Sequence, residues 1–224
     1  MLNLTVPGLA APLRAAYAEF REIALSNAPF LGAAETPLGA SSPDPKRYLE
    51  FGVQDSDIPE TLRALRLFLL GTLDRCAQAL EPVLLQPLDT PLRELIDRDT
   101  GPILRLSWYP EGYIGEVNQP HTDIDLFTVL PAASTVGLER RVEHAWLPVS
   151  IADDEIVVMP GDILHELGAA QAIEHRVFGG GAERISASLF VNASPSVAID
   201  TNVQAGELLK QRLEAVRLIG EDHG

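Results

Sequence analysis

The sequence is poor in cysteine and has no long apolar run, and each shortage excludes a class of protein. Its one cysteine, Cys76, cannot form a disulfide within the chain, so we expect a reducing compartment and a cytoplasmic location. The longest apolar stretch, residues 65–71, is too short to cross a bilayer and contains an arginine. The first residues also lack the basic and apolar regions of a secretory signal. We therefore expect no part of the chain to lie in a membrane.

Basic residues are also scarce, with 17 lysines and arginines against 32 acidic residues and a net charge of −15. Such a surface repels phosphate backbones and anionic lipid headgroups, so we expect no nucleic-acid or membrane partner. A small substrate is not excluded, because a basic pocket can lie inside an acidic shell. The expected partner is a small molecule, and no pattern indicates an oligomeric state.

Residues 1–100 predict a mainly helical region. Apolar spacing predicts an amphipathic helix over residues 9–27, which ends before Pro29. A long helix is predicted from Ile58 to Leu80, with Asp57 as its N-cap and Cys76 packed in its apolar stripe. The stretch between them, residues 32–46, is rich in Gly, Pro and Ser and predicts a loop that lines or covers a site.

From residue 102 the pattern changes to short strands separated by turn signals. The predicted strands are residues 103–109, 125–130, 146–149, 155–159, 175–178 and 185–192. Many short strands at this spacing predict a closed or double-sheet core such as a jelly roll. We expect one domain over 1–224, mainly β with flanking helices. It would have a helical part with a candidate lid loop (1–100), a jelly-roll core (101–195) and a C-terminal helix and tail (196–224).

Three polar side chains form a candidate metal site. His121 and Asp123 are two residues apart, so in an extended backbone both project from one face. Alone, this pair is common and is equally typical of a surface turn. His175, at the predicted start of a strand, supplies a third donor. Two histidines and one carboxylate leave coordination positions open on iron for O₂ and a chelating co-substrate.

A second pair of the same spacing follows His175. Arg184 and Ser186 also point one way along a predicted strand. A guanidinium binds a carboxylate through two parallel hydrogen bonds, and the hydroxyl adds one more donor. The sequence therefore predicts an iron site, an anchor for an acidic co-substrate, and a β-scaffold that holds both.

The stretch 105–192 resembles the isopenicillin N synthase-like family of iron- and 2-oxoglutarate-dependent oxygenases. The motifs that carry the resemblance are Tyr109-Pro110, His121-Thr122-Asp123 with the apolar strand after it, Gly137-Leu138 with Trp146, Pro160-Gly161-Asp162, His175-Arg176-Val177, and Arg184 through Asn192. They follow the family's order and nearly its spacing. Asp125 stands where the family usually has glycine, and Ser107 stands where asparagine is common. The chain is shorter than typical members, and its N-terminal region matches little.

The resemblance implies a double-stranded β-helix, the cupin-like jelly roll, with the N-terminal helices packed on it. It implies that His121, Asp123 and His175 are the catalytic residues and bind Fe(II). Arg184 and Ser186 would bind the distal carboxylate of 2-oxoglutarate, with Tyr109 as a further donor. The implied reaction uses O₂ to oxidise, by default to hydroxylate, an unactivated C–H bond of a small molecule such as an amino acid or a natural-product intermediate.

Alternatives to this function remain open. A relative could use iron and O₂ without 2-oxoglutarate, and Arg184 and Ser186 would then hold an acidic group of the substrate. A non-catalytic metal-binding β-barrel and a hydroxylase of a basic macromolecule are further alternatives. His165 competes with His175 as the last metal ligand, but it lies too far before Arg184 for the usual strand pairing. Its role could be packing, support of a ligand or contact with substrate.

Overall fold

The computed structural model describes residues 1–26, 32–33, 46–52 and 57–221, and in residues 32–33 and 215–221 the backbone alone. Two predictions fall outside these ranges. One is the helix stop at Asn27 to Pro29, and the other is most of the loop predicted over residues 32–46.

The larger of two sheets has seven strands, and every neighbouring pair is antiparallel. Its strands are β1 (Leu2–Thr5), β2 (Gly32–Ala33), β3 (Arg47–Phe51), β4 (Ile103–Tyr109), β6 (Phe127–Pro131), β9 (Glu155–Pro160) and β11 (Arg184–Val191). Their order across the sheet is β1-β9-β6-β11-β4-β3-β2. One face packs on helices, and the opposite face turns towards the second sheet.

The smaller sheet has four antiparallel strands in the order β5-β10-β7-β8. They are β5 (Ile114–His121), β7 (Leu138–Val142), β8 (Ala145–Pro148) and β10 (His175–Gly180). From β4 to β11 the chain passes back and forth between the two sheets, which is the winding of a double-stranded β-helix. The predicted jelly-roll fold is therefore confirmed.

The described helices are α1 (Ala10–Ser26), α2 (Glu60–Leu70), α3 (Leu73–Leu80), α4 (Leu92–Leu95), α5 (Asp162–Glu166) and α6 (Ala205–Glu221), with a 3₁₀ turn at Glu81–Val83. Of these, α1 lies against β4 and β11 of the larger sheet, and α3 lies against β1. The buried stripe of α1 includes Leu13, Tyr17 and Phe20, in agreement with the predicted spacing. These side chains share one core with Leu104 of β4 and Leu189 of β11. Among the described helices none is long and apolar enough to span a bilayer.

Two predictions for the first hundred residues are wrong in part. The long helix predicted from Ile58 to Leu80 is two helices, because the chain turns at Gly71 and Thr72 and the Thr72 hydroxyl donates to the Leu69 carbonyl (2.6 Å). The N-cap position of α2 is Pro59 and not Asp57. The region is also not purely helical, since β1, β2 and β3 extend the larger sheet.

A buried carboxyl group packs against the turn between β9 and α5. Asp125 is 1% exposed, its Oδ2 accepts a hydrogen bond from the Val191 amide (3.3 Å), and the same oxygen lies 2.9 Å from the Thr128 hydroxyl oxygen. Its Oδ1 has no hydrogen-bond partner among the described residues and faces Gly161. Burial, and then the charge of Asp123, raises the pKa of Asp125 well above its ordinary value. The folded protein therefore holds a proton on this carboxyl group up to a higher pH than the unfolded chain does.

We predict that Gly161→Ala destabilises the fold. The added Cβ would lie 2.5 Å from the Asp125 carbonyl oxygen and 2.8 Å from that of Asp123, and closer still to Asp125 Oδ1. Overpacking of this kind costs about 1–3 kcal/mol. Urea unfolding measures the loss. Gly180→Ala is the matched control, because a Cβ there meets no atom within 4 Å, and an equal loss in both variants would contradict the packing argument.

We predict that Asp125→Asn alters how stability depends on pH. A carboxyl group whose pKa is raised by folding keeps its proton in the native state, so stability falls as pH rises from its unfolded value of about 3.9 towards the folded value. The slope is about 1.4 kcal/mol per pH unit in that window. Asparagine does not titrate, so the variant should gain stability relative to the parent as pH rises. Urea titrations of chelator-treated protein measure this difference; Asp153→Asn, at an exposed ion pair, should show none of it.

Candidate active site

The predicted metal ligands lie together at one end of the smaller sheet. His121 is the last residue of β5 and His175 is the first residue of β10, and the two are directly paired across the antiparallel ladder. Their ring centroids are 4.3 Å apart. Asp123 follows in the connection to β6, with Oδ1 3.6 Å from His121 Nε2 and 3.8 Å from His175 Nε2. The pairing of His121 with His175 and the connection that follows β5 therefore bring together the three residues that the sequence predicted.

Backbone carbonyl groups fix which nitrogen of each histidine faces the cluster. His121 Nδ1 lies 2.7 Å from the Gln119 carbonyl oxygen, and His175 Nδ1 lies 3.0 Å from that of Ile173. A carbonyl only accepts, so each Nδ1 carries the proton and each Nε2 presents its lone pair to the cluster. Burial disfavours the charged imidazolium of His121, and the neighbouring His175 disfavours it further. Together they lower the pKa of His121 to about 4. Neutral imidazole is the form that binds a metal.

Asp123 is held from both its backbone and its side chain. Its carbonyl accepts from the Asp162 amide (2.8 Å), and its Oδ2 accepts from the Thr128 hydroxyl. This leaves Oδ1 directed at the two histidines. Ligating carboxylates in proteins are commonly oriented by such an outer hydrogen bond. Thr128 was not singled out from the sequence, where it is one residue of an apolar strand.

The donor set and its spacing fit a single metal ion. The three ligand atoms lie within 4.8 Å of one another, and no other group of this kind occurs among the described residues. Nitrogen and oxygen ligands bind first-row metals at about 2.1 Å, so one ion can reach atoms 3.6–3.8 Å apart. Two imidazoles and one carboxylate are the donors typical of non-haem Fe(II). His165 lies exposed on α5 and outside this cluster.

The donor cluster opens into a cavity of about 250 Å³ between the two sheets. Arg184, Ser186, Ser107 and Tyr109 line the same cavity from neighbouring strands of the larger sheet. Arg184 pairs with Tyr109 in the ladder, and Ser186 pairs with Ser107. The predicted anchor residues and the predicted metal ligands therefore face one space.

Arg184 is a buried cation with spare hydrogen-bond donors. It is 5% exposed, its Nη1 donates to Ser186 Oγ (2.8 Å), and its guanidinium lies 5.4 Å from the Tyr109 ring. Its Nε has no hydrogen-bond partner among the described residues, and none of the described ion pairs includes it. Burial lowers the pKa of Arg184, and the neighbouring Tyr109 and Tyr17 oppose that shift. A buried guanidinium of this kind is suited to an anionic ligand.

Several lining residues were missed by the sequence analysis. Lys46, Arg105, Asn118 and Phe190 also face the cavity. The sequence predicts Lys46 as the end of a loop, and the one signal that singles it out is that lysine occurs only twice in the chain. Asn118 lies in β5, a strand that was not predicted. Only the folded chain brings these residues to the histidines.

The sequence is similar to those of known iron- and 2-oxoglutarate-dependent proteins. Residues 101–193 match the 2OG-Fe(II) oxygenase superfamily. The 2-oxoglutarate-dependent dioxygenase tropC of Talaromyces stipitatus is 27% identical over 191 residues, which cover 76% of this chain and 57% of that protein. The chain thus spans just over half the length of this relative.

Solved structures share the fold over nearly the whole chain. A crystal structure of an oxygenase from Shewanella oneidensis has a TM-score of 0.75 and 26% identity, and it covers 96% of this chain and 90% of its own. JOX2, crystallised with 2OG, Fe and JA, has a TM-score of 0.69 and 20% identity over 90% of this chain and 69% of its own. In its motif order, its fold and the matched segment 101–193, this chain is similar to the 2OG-Fe(II) oxygenase superfamily.

Proposed function

We propose that the protein is a non-haem iron dioxygenase that uses 2-oxoglutarate and O₂ to oxidise, by default to hydroxylate, a C–H bond of a small molecule. His121, Asp123 and His175 would bind Fe(II). Arg184, Ser186 and Tyr109 would bind the distal carboxylate of 2-oxoglutarate. When bound, the iron and the co-substrate together supply the activation of O₂ that an unactivated C–H bond requires.

One observation carries the proposal: a buried guanidinium with a spare donor shares a small cavity with a His-Asp-His cluster. A non-catalytic metal-binding protein would need the His-Asp-His cluster, but it would not need a buried arginine such as Arg184 beside it. Burial of an unpaired charge is costly, and a bound carboxylate removes most of that cost. The arginine therefore favours a site that takes an acid beside its metal.

The residues of this chain would act by position, protonation state and exclusion of water. The two Nδ1–H groups stay on the Gln119 and Ile173 carbonyls, so both Nε2 atoms remain available to the metal. The Arg184 guanidinium and the Ser186 hydroxyl, 2.8 Å apart, would orient the co-substrate along the larger sheet. Leu130, Val177 and Ile151 line the rest of the cavity and limit the entry of water.

A small-molecule substrate is part of the proposal, because the cavity is small and lies between two sheets. We propose no nucleic-acid or membrane partner, on the strength of the net charge of −15. We also propose a cytoplasmic location, which the unpaired, buried Cys76 supports. Burial raises the pKa of this thiol to about 11, which keeps it protonated and unreactive.

We predict that His175→Ala abolishes iron binding, because it removes a donor that the fold orients and that cannot be replaced from a neighbouring strand. Metal analysis after anaerobic reconstitution with Fe(II) should find about one ion per chain in the parent protein and far less in the variant. His165→Ala is the control and should keep the parent's iron content. Retention of iron by His175→Ala together with its loss in His165→Ala would reverse the assignment.

We predict that Arg184→Lys raises the KM for 2-oxoglutarate by about 10- to 100-fold, since an ammonium cannot form the paired hydrogen bonds of a guanidinium. Succinate formation at varied 2-oxoglutarate measures the change. Arg14→Lys, at an exposed ion pair with Asp153, should leave that KM unaltered. If the parent enzyme consumes O₂ without forming succinate, the protein is instead an iron- and O₂-dependent enzyme that does not use 2-oxoglutarate.

A further inference from the structure

We propose that the molecule oxidised in this cavity is a small carboxylic acid, and that the Lys46 ammonium and the Asn118 amide bind its carboxylate. This inference rests on the proposed function, because it names the substrate class of the same site. Neither residue belongs to the metal cluster or to the proposed co-substrate anchor.

Lysine is rare in this chain, and one of its two copies lies in the cavity wall. Lys210 is on the exposed face of α6, where its side chain is 75% exposed. Lys46 is 7% exposed and lines the cavity just before β3. Lysine is seldom buried, because its ammonium is strongly hydrated. Its placement beside the metal cluster is therefore a property of the site rather than of the surface.

Lys46 and Asn118 together form a pair of donors. Lys46 Nζ donates to Asn118 Oδ1 at 3.0 Å. This contact fixes the orientation of the amide, since the oxygen must face the ammonium. The Nδ2 group of Asn118 is thus turned away from Lys46, and both residues line the same cavity. An ammonium and an amide N–H from two neighbouring residues can each donate to an oxygen of one carboxylate.

The charges around the cavity also favour an anion. Among its charged lining residues, Lys46, Arg105 and Arg184 are cationic and Asp123 is anionic, and Glu50 offsets the charge of Arg105, which leaves an excess of one positive charge. An Fe(II) ion and a 2-oxoglutarate dianion cancel each other formally, so their binding leaves this positive excess in place. Within a chain of net charge −15, the cavity is a local region of opposite sign. Such a field attracts an anionic substrate and disfavours a cationic one.

Arg105 is less suited than Lys46 to hold the acid. Its Nε donates to Glu50 at 2.5 Å, and its guanidinium lies between the Tyr48 ring at 5.1 Å and the Phe190 ring at 4.9 Å. The ion pair offsets its charge and the two rings hold its plane. Arg105 and Phe190 therefore form a fixed, flat wall against which the body of the substrate can pack.

The spacing along β5 limits the size of the acid. Asn118 precedes His121 by three residues on the same strand, which spans at most about 10 Å of chain, and the register shift between the two positions lets both side chains face the cavity. A substrate whose carboxylate binds Asn118 therefore has, next to the metal cluster, atoms that are several bonds away from that carboxylate. We infer that the oxidised carbon is distant from the carboxylate and not adjacent to it.

Calorimetric titrations test the inference in two stages. Titration of 2-oxoglutarate into anaerobic, Mn(II)-loaded protein tests the proposed function, and failure of this step would count against that function alone. With 2-oxoglutarate then saturating, straight-chain and phenyl-substituted carboxylic acids are compared with their primary amides. The parent should prefer acids to amides by about tenfold or more, the size of one charge-assisted hydrogen bond.

Lys46→Met should lose this acid preference and keep its affinity for 2-oxoglutarate. Asn118→Asp, which places a carboxylate beside Lys46 and repels an acid, should lose it as well, and it carries the test if Lys46→Met does not fold. Lys210→Met is the matched control and should keep the preference. The inference is overturned if the parent does not prefer acids to amides, which includes the case in which it binds neither. It is overturned as well if the preference survives in both Lys46→Met and Asn118→Asp. It is also overturned if Lys46→Met weakens 2-oxoglutarate as much as the acids.

Discussion

The antiparallel pairing of β5 with β10 sets His121 directly opposite His175, and the whole donor cluster depends on that pairing. A slip of one residue would turn every side chain of one strand to the opposite face. The ladder contains register shifts just after His175, between His175 and Val177 and again before Phe178. Irregular pairing of this kind is common beside functional sites, where it redirects a side chain. The backbone, more than any side-chain contact, therefore brings the two imidazoles together.

The third donor is placed by the turn that joins β9 to α5. This turn binds the Asp123 carbonyl through the Asp162 amide, and Thr128 in β6 binds the Asp123 carboxylate. Asp125 packs against Gly161 of this turn and contacts both Thr128 and the backbone of β11. Gly161 is needed because no Cβ fits between these groups. The position of one ligand is thus tied to three strands of the larger sheet, which makes it a rigid part of the core.

Much of the fold and of the cluster could be predicted, because both follow from local periodicity. Residues 103–109 form a strand with the predicted ends, since apolar and polar side chains alternate there. A period of two also predicted that Arg184 and Ser186 share one face of β11, whereas His121 ends β5 and Asp123 lies in the connection after it, so their proximity comes from that connection and not from a strand. The proposed ligand roles themselves stay predictions that the metal and co-substrate experiments address.

What could not be predicted depends on contacts distant in sequence. Strand β5 has the sequence IGEVNQPH, which is low in strand-forming residues, and it is held by pairing with β10 along its length. Lys46 follows a stretch typical of a loop, and only the pairing of β3 with β4 brings the start of β3 to the cavity. The turn at Gly71 and Thr72 lies inside a continuous apolar stripe, and periodicity alone does not reveal it.

An acidic chain that binds an acid is physically consistent, because the two fields act over different distances. At physiological salt, charges on the surface are screened within about 8 Å, so an approaching anion experiences little of the distant acidic surface. Lys46 and Arg184 are buried in the cavity wall, so their charges act with less screening. The surface therefore slows the encounter only slightly, while the cavity governs how long the acid remains bound. Discrimination between an acid and its amide should consequently appear in dissociation rather than in association.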